Sequence, residues 1–323
     1  MEELLEIKDL RTYYFTEDGV VKAVDGVDLV IRRGETLGLV GESGCGKSTL
    51  CLSIMRLIEP PGEIVGGQIL LDGEDLLKMD DESMRKIRGN KISMIFQDPS
   101  TSLNPVFTVG YQLMEAVTAH LDVGKEEAKK RVVEVLERVG IPDAEKRLEG
   151  WPHEFSAGMK QRIMIAMALL CEPDLLIADE PTSNLDVTIQ AQILELMKRL
   201  KYEYKSSILL VTHNLGIVAE LSDSVAVMYA GKIVEYADAI TIFRNPLHPY
   251  TRALLRSIPR LDLEVERLEV IPGEVPSLIN PPPGCRFHPR CKYAREECKR
   301  VEPQLEEVER GHYVACLRVG EVD

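Results

Sequence analysis

Nine consecutive residues, Gly41-Glu42-Ser43-Gly44-Cys45-Gly46-Lys47-Ser48-Thr49, carry the densest chemistry in the chain. They read G-x-x-x-x-G-K-S, a spacing in which backbone N–H groups cradle a phosphate chain. Lys47 is then placed for the β- and γ-phosphates of a nucleoside triphosphate, and the Ser48 hydroxyl for Mg2+. A glycine-rich turn without a ligand is the competing reading, and the flanks argue against it. Ahead of the loop, Thr36-Leu37-Gly38-Leu39-Val40 is a short apolar run that opens after the turn Arg33-Gly34-Glu35. Behind it, Leu50, Ile54, Leu57 and Ile58 recur at helical spacing. Strand, glycine loop and helix together aim N–H groups and a positive helix end at phosphate.

Other residues suit the same chemistry. Leu175-Leu176-Ile177-Ala178-Asp179-Glu180 is an apolar run capped by two carboxylates, as expected of a central parallel strand. Asp179 is placed to hold Mg2+ through water, and Glu180 to orient or deprotonate the attacking water. Gln97 stands at the end of the run Lys91–Phe96; its amide is a candidate for Mg2+ or for that water, although most such residues are solvated. His213 ends the run Ser207–Thr212. A lone histidine is usually structural, but at a strand tip in this company it is a candidate sensor of the γ-phosphate. Ser156-Ala157-Gly158 opens a helix, with Ser156 as its cap. That start is a second potential anion site, and it suggests work across a subunit interface. Tyr14, with Tyr13 as runner-up, is a candidate to stack on a purine; an aromatic on an edge strand is an equal alternative.

The elements that must position these residues alternate along the chain. Residues 4–32 give two strand-like runs, and Gln68–Gly73 another that ends in a turn. Residues 98–155 change character: Asp98–Pro105 is rich in turns, and two helical segments follow. In the second, from Lys125 to Val139, Val132, Val135, Leu136 and Val139 share a face. This all-helical insertion ends in His153–Arg162, and Ile163–Leu170 continue as an apolar helix. After the turn Pro181–Asp186, a further helix carries Ile189, Ile193, Leu196 and Leu200 on one side.

At 323 residues the chain has room for two domains or for one large domain with an appendage. Its net charge of −14 argues against a nucleic-acid surface. No apolar run reaches the ~18 residues that cross a bilayer, and the first residues lack the pattern of a signal peptide, so a cytosolic location is expected. Of seven cysteines, Cys45, Cys51 and Cys171 look like small buried hydrophobes. Cys285, Cys291, Cys298 and Cys316 instead crowd a proline-rich tail that should have little core of its own. Their spacing lacks the close pairs of structural zinc; four thiols fit a [4Fe–4S] cluster, with zinc or no metal as alternatives.

Taken together, these motifs resemble the ATP-binding subunit of an ATP-binding cassette (ABC) transporter. Gly41–Thr49 resembles its Walker A loop, Gln97 its Q-loop and Ser156–Gln161 its signature. Leu175–Asp179 with Glu180 resembles Walker B and the catalytic glutamate, Ser183–Asp186 the D-loop and His213 the switch histidine. Within that family, Phe96-Gln97-Asp98-Pro99, Thr101–Pro105, Asn245-Pro246, His248-Pro249-Tyr250-Thr251 and Gly284-Cys285 with Pro289-Arg290-Cys291 are similar to the oligopeptide/dipeptide importers. Some dipeptide-importer ATPases have a similar cysteine pattern with a [4Fe–4S] cluster.

The resemblance implies an α/β fold, with a mixed sheet flanked by helices. It divides the chain into an ATPase domain over residues 1–258, with a helical subdomain at about 98–165, and an extension over 259–323. It implies hydrolysis of ATP with Mg2+, by Glu180, His213 and Gln97. Ser48, Gln97 and Asp179 would serve the metal, and Ser156, Gly158 and Asp186 the nucleotide. The expected partners are a second, paralogous ATPase subunit arranged head to tail, two integral membrane permease subunits and an extracytoplasmic substrate-binding protein, with no nucleic acid. The expected place is the cytoplasmic face of the membrane. Oligosaccharide or nickel import, or a soluble ABC ATPase, are the alternatives; the last would need a coiled-coil insertion or a second cassette. Ala157 stands where glycine is usual, Met159-Lys160 where Gln- or Met-Arg is common, Asn184 where alanine is commoner and Asn214 where aspartate is frequent. None of these removes a catalytic group.

Overall fold

The computed structural model describes residues 2–98, 102–183, 185–257 and 271–321. Pro99, Thr101 and Asn184 lie outside them, as does the expected boundary between residues 258 and 259. From the N-terminus, strands β1 (Glu3–Thr16), β2 (Gly19–Arg32) and β3 (Thr36–Val40) lead to helix α1 (Lys47–Ile54). Strands β4 (Gly62–Leu71) and β5 (Glu74–Asp75), helix α2 (Asp81–Ile87) and strand β6 (Ile92–Ile95) follow. Helices α3 (Val109–Thr118), α4 (Lys125–Arg138), α5 (Ala144–Arg147) and α6 (Ala157–Leu169) come next. Then come β7 (Leu175–Asp179), α7 (Val187–Tyr204), β8 (Ser207–Val211), α8 (Leu215–Leu221), β9 (Ser224–Tyr229) and β10 (Lys232–Asp238). Helices α9 (Ala239–Arg244) and α10 (Pro249–Arg256) and strands β11 (Glu306–Glu309) and β12 (His312–Val314) complete the order.

The chain separates into two compact units. The first comprises Met1–Leu4, Arg32–Gly34 and Lys78–Leu209; the second comprises Leu5–Ile31, Glu35–Leu77 and Leu210–Asp323. In the first, β6 runs parallel to β7, with Ile92 opposite Leu175 and Ile95 opposite Ala178. Every residue of both strands is buried, as parallel strands covered on both faces require. Helix α3 starts where Thr108 accepts the Tyr111 N–H. Helix α4 buries Val132, Val135 and Leu136 on the face its periodicity foretold.

In the second unit, β1 pairs antiparallel with β4, from Leu5 opposite Leu71 to Tyr14 opposite Gly62, in a sheet ordered β2-β1-β4-β5. The other strands form a mixed arrangement. Strand β3 runs parallel to β9, and β9 antiparallel to β10. Strand β10 in turn pairs with β12, and β12 with β11. The five residues of β3 are all buried; each large apolar side chain there contributes roughly 1.5–3 kcal/mol.

The tail departs from expectation. It is rich in loops, yet it shares the core of the second unit. Phe287 is 3% exposed, and its ring packs 5.2 Å from that of Tyr229 and 5.3 Å from that of Tyr250. Its prolines hide the short strands and buried anchors that bind it to β10, because neither shows a period.

Candidate active site

In the second unit, β3 ends at Val40 and α1 begins at Lys47, so residues 41–46 form the turn between them. Ser43, Gly44 and Ser48 are exposed, while Cys45 and Lys47 are buried. The Lys47 ammonium donates to the carbonyls of Gly41 (2.8 Å) and Glu42 (3.0 Å), which folds the loop around it. Gly46 has a left-handed φ of 109°, and a Cβ there would lie 2.1 Å from the Ala23 carbonyl oxygen. Only glycine fits that approach. Burial pushes the Cys45 thiol pKa up against the pull of Lys47, so the thiol is an inert filler.

Residues far along the chain hold this loop. The Glu42 N–H donates to the Tyr250 hydroxyl (2.9 Å), and the Gly231 N–H donates to the Cys45 carbonyl (2.8 Å). Arg290 forks onto the Glu42 carboxylate, Nη1 to Oε2 at 2.7 Å and Nη2 to Oε1 at 3.0 Å. Burial would lower the Arg290 pKa, but the bonds to Glu42 and Tyr229 prevail and raise it. His213 follows β8 and is exposed. The Thr212 N–H donates to the Leu39 carbonyl (3.3 Å), which brings His213 beside the strand that enters the loop. Asn214 accepts the Gly216 N–H (3.0 Å) and caps α8, so the replacement of aspartate there leaves the cap intact.

The first unit carries the carboxylates. Asp179 ends β7 and is 5% exposed. Glu180 follows with a left-handed φ of 47°, a conformation that costs a residue other than glycine of order 1 kcal/mol and collects at functional sites. Gln97, beyond the end of β6, donates its amide to Glu180 Oε2 (2.9 Å). The Ser183 hydroxyl contacts the carbonyls of Gln97 (3.1 Å) and Glu180 (3.0 Å), closing a triangle around the strand tips. Buried Gln161 donates to the Pro181 carbonyl (2.7 Å) from α6. Ser156 accepts the Met159 N–H (3.4 Å) as the expected cap, and Ala157 stands exposed at the first helical position. A Cβ on Gly158 would come within 2.9 Å of Ile189 Cγ2, so this glycine also lets α6 approach α7. Asp186 accepts the N–H groups of Thr188 and Ile189, both at 3.1 Å, and caps α7.

Known proteins resemble the chain over almost its whole length. Residues 24–183 match the model of the ABC transporter family, and residues 234–298 that of the oligopeptide/dipeptide transporter C-terminal region. The chain is 51% identical to the oligopeptide transport ATP-binding protein AppD of Bacillus subtilis, over 98% of this chain and 97% of that protein. It is 49% identical to the oligopeptide transport ATP-binding protein OppD of Escherichia coli, over 98% and 94% respectively. The chain belongs to the ABC transporter family. It is an ATPase of the family's oligopeptide/dipeptide importer branch. Among solved structures, a dimeric post-hydrolysis state of the ATP-binding cassette MJ0796, bound to ADP and Pi, superposes with a TM-score of 0.66 at 26% identity. It covers 73% of this chain and 99% of that one. The fold is that of an ABC ATPase.

Mg2+ takes hard oxygen ligands, and the donors of Ser48, Gln97 and Asp179 are all oxygen, so the residues fit the ion by chemistry. The four tail cysteines form no disulfide. They line one cavity with His248, Phe287 and His288. Burial, and then the neighbouring thiols, push the pKa of Cys285 and of Cys316 up to about 12. The donor set matches the expected [4Fe–4S] cluster, but the room does not. The cavity measures about 10 Å3, space for roughly one water molecule. No group of three or more His, Cys, Asp or Glu residues able to hold a metal ion occurs among the described residues.

The two aromatic candidates take different surroundings. Tyr14 lies against Gly62, where a Cβ would meet its Cε1 at 2.6 Å. The Tyr13 hydroxyl donates to Asp25 (2.5 Å), whose other oxygen is held by Arg286. The Asp25 N–H donates to the Gly231 carbonyl (2.9 Å), one residue whose own N–H reaches the loop at Cys45. Sequence reasoning missed Ser183 as a clamp, and Asp25, Tyr250, Arg286 and Arg290 as supports of the loop Gly41–Thr49 in this importer ATPase. Tyr250 and Arg290 did lie inside the family-specific stretches, which was their only signal.

Proposed function

We propose that this ATPase energises the import of di- and oligopeptides, with Glu180 as the group that orients or deprotonates the attacking water. The observation that carries the reading is the triangle of Glu180, Gln97 and Ser183 at the tips of two parallel strands. A strained Glu180 backbone, its carbonyl held by Ser183 and its carboxylate by Gln97, presents that carboxylate in one orientation, as general-base work demands.

Lys47 and the loop N–H groups receive the ATP phosphates, and His213 senses the γ-phosphate. Ser48, and separately Gln97 and Asp179, would hold Mg2+, whose charge would neutralise the phosphates. Tyr13 is better supported than Tyr14 as the stacking ring, because its hydroxyl is anchored among residues that reach the loop. Ser156, Gly158 and Asp186 serve the nucleotide of a second, paralogous ATPase subunit. Two integral membrane permease subunits and an extracytoplasmic binding protein complete the transporter, and the chain works at the cytoplasmic membrane face. The exposed stacked pair Phe107 and Tyr111, ring centroids 4.7 Å apart, suits contact with a permease. Peptide names on the relatives favour peptides over oligosaccharides or nickel.

In the assembled transporter, Glu180→Gln should retain ATP and lose nearly all turnover; unchanged hydrolysis would sink the assignment. The four tail thiols match a [4Fe–4S] cluster in donor number alone; their cavity would have to open to admit one, and the cluster would have no part in hydrolysis. Iron and acid-labile sulfide in anaerobically purified protein test this, and zinc without iron overturns it.

A further inference from the structure

The phosphate loop carries a negative charge of its own. Glu42 sits between Gly41 and Ser43, its N–H on Tyr250 and its carbonyl under Lys47. A carboxylate in that position repels an incoming polyphosphate unless it is neutralised. We propose that Arg290, from the C-terminal region, is a positioning residue of the ATP site: it neutralises the Glu42 carboxylate and holds it in place, so that the loop accepts ATP. The proposal rests on the reading that Gly41–Thr49 holds the ATP phosphates.

Three observations carry it. The fork occupies both Glu42 oxygens, at 2.7 and 3.0 Å, and bidentate pairs of this kind fix direction as well as charge. The Arg290 side chain is only 5% exposed, so water screens the pair weakly. The guanidinium is itself fixed, by an Nε donation to the Pro272 carbonyl (2.8 Å) and by the Tyr229 ring, whose centroid is 5.8 Å away. Lysine would restore the charge without the fork. The contribution of charge is therefore separable from that of geometry.

The test is MgATP affinity of the full chain, measured by calorimetry, with thermal unfolding recorded for each variant. Arg290→Met is expected to weaken MgATP binding at least ten-fold, and to weaken MgADP binding less, since fewer phosphate charges face Glu42. Adding Glu42→Gln to Arg290→Met should recover most of the loss, whereas a merely structural role would leave the double variant as weak as the single. Arg290→Lys should fall between Arg290→Met and the native chain. Native affinity in Arg290→Met, or no recovery in the double variant, overturns the proposal. Where Arg290→Met does not fold, Arg290→Lys decides, and affinity equal to the native chain's overturns the role. Lys47→Ala is the separate control: if it binds MgATP normally, the reading of the loop has failed instead.

Discussion

Glu42 and Glu180 each follow a buried parallel strand, Glu42 two residues beyond β3 and Glu180 directly after β7. Their carboxylates are held in opposite ways. A guanidinium fork occupies both oxygens of Glu42. Glu180 instead accepts a neutral amide, from Gln97, on one oxygen. A forked carboxylate is an anchor, because its charge and lone pairs are spent within the protein. A neutral amide fixes the direction of a carboxylate without neutralising it. The contrast extends to the units around them. The first uses neutral hydrogen bonds, from Gln97 to the Glu180 carboxylate and from Ser183 to the backbone carbonyls of Gln97 and Glu180. The second relies on buried ionisable groups, among them Asp25 with Arg286, Glu235 with His312, and the fully buried His248.

Exchanging the two glutamates for glutamine would break the comparison most directly. Glu180→Gln should lower kcat by about 10^3-fold or more, a loss of roughly 4 kcal/mol of transition-state stabilisation, while ATP stays bound. Glu42→Gln should leave kcat within a few-fold. Equal losses in steady-state ATPase assays would show that both glutamates act in the chemical step.

Acid should expose the difference between the units. Burial depresses the His248 pKa from its ordinary value of 6.5 to about 4. Below pH 6.5 the unfolded chain binds a proton that the folded chain refuses, so this contribution to stability is present above pH 6.5 and is lost as pH falls toward 4. Glu235 adds to the same trend. Burial would raise its pKa, but the bonds from His312 and the Leu247 N–H prevail and lower it, so its contribution also fades in acid. The loss at pH 5 relative to pH 7 is about 2 kcal/mol from His248, read by urea denaturation. His248→Gln should flatten that dependence; an unaltered slope would exclude the histidine as its source.

The smallest effect sharpens the description of the first unit. Ser183→Ala removes one hydroxyl clamp worth about 1 kcal/mol, so kcat should fall roughly five-fold with little change in KM for ATP. An unchanged kcat would mean that Gln97 and the Glu180 backbone hold their geometry without it.

Much of this architecture is legible in the order of the residues. The loop Gly41–Thr49, the carboxylate pair at the end of β7, and the helix-forming faces of α4 and α6 follow from local spacing, which short-range physics reads directly. The candidates Gln97 and Glu180 do meet, at 2.9 Å. What escapes a reading of the residues is the support. Asp186 and Asn214 are helix caps, which their positions could have foretold. The expectation of a tail with little core missed Phe287, because isolated anchors between prolines have no period to detect. The four cysteines stand out in the sequence, but their number cannot reveal that they surround so small a cavity.

The sequence by itself determined which chemical groups are present and in what order, because a phosphate loop, a strand tip and a helix start are each built from neighbouring residues. Only the tertiary structure decided how each is restrained. Arg290 reaches Glu42 across 248 residues, and Arg286 reaches Asp25 across 261. No periodicity spans such distances; pairings of this kind exist only once the core has brought their backbones together.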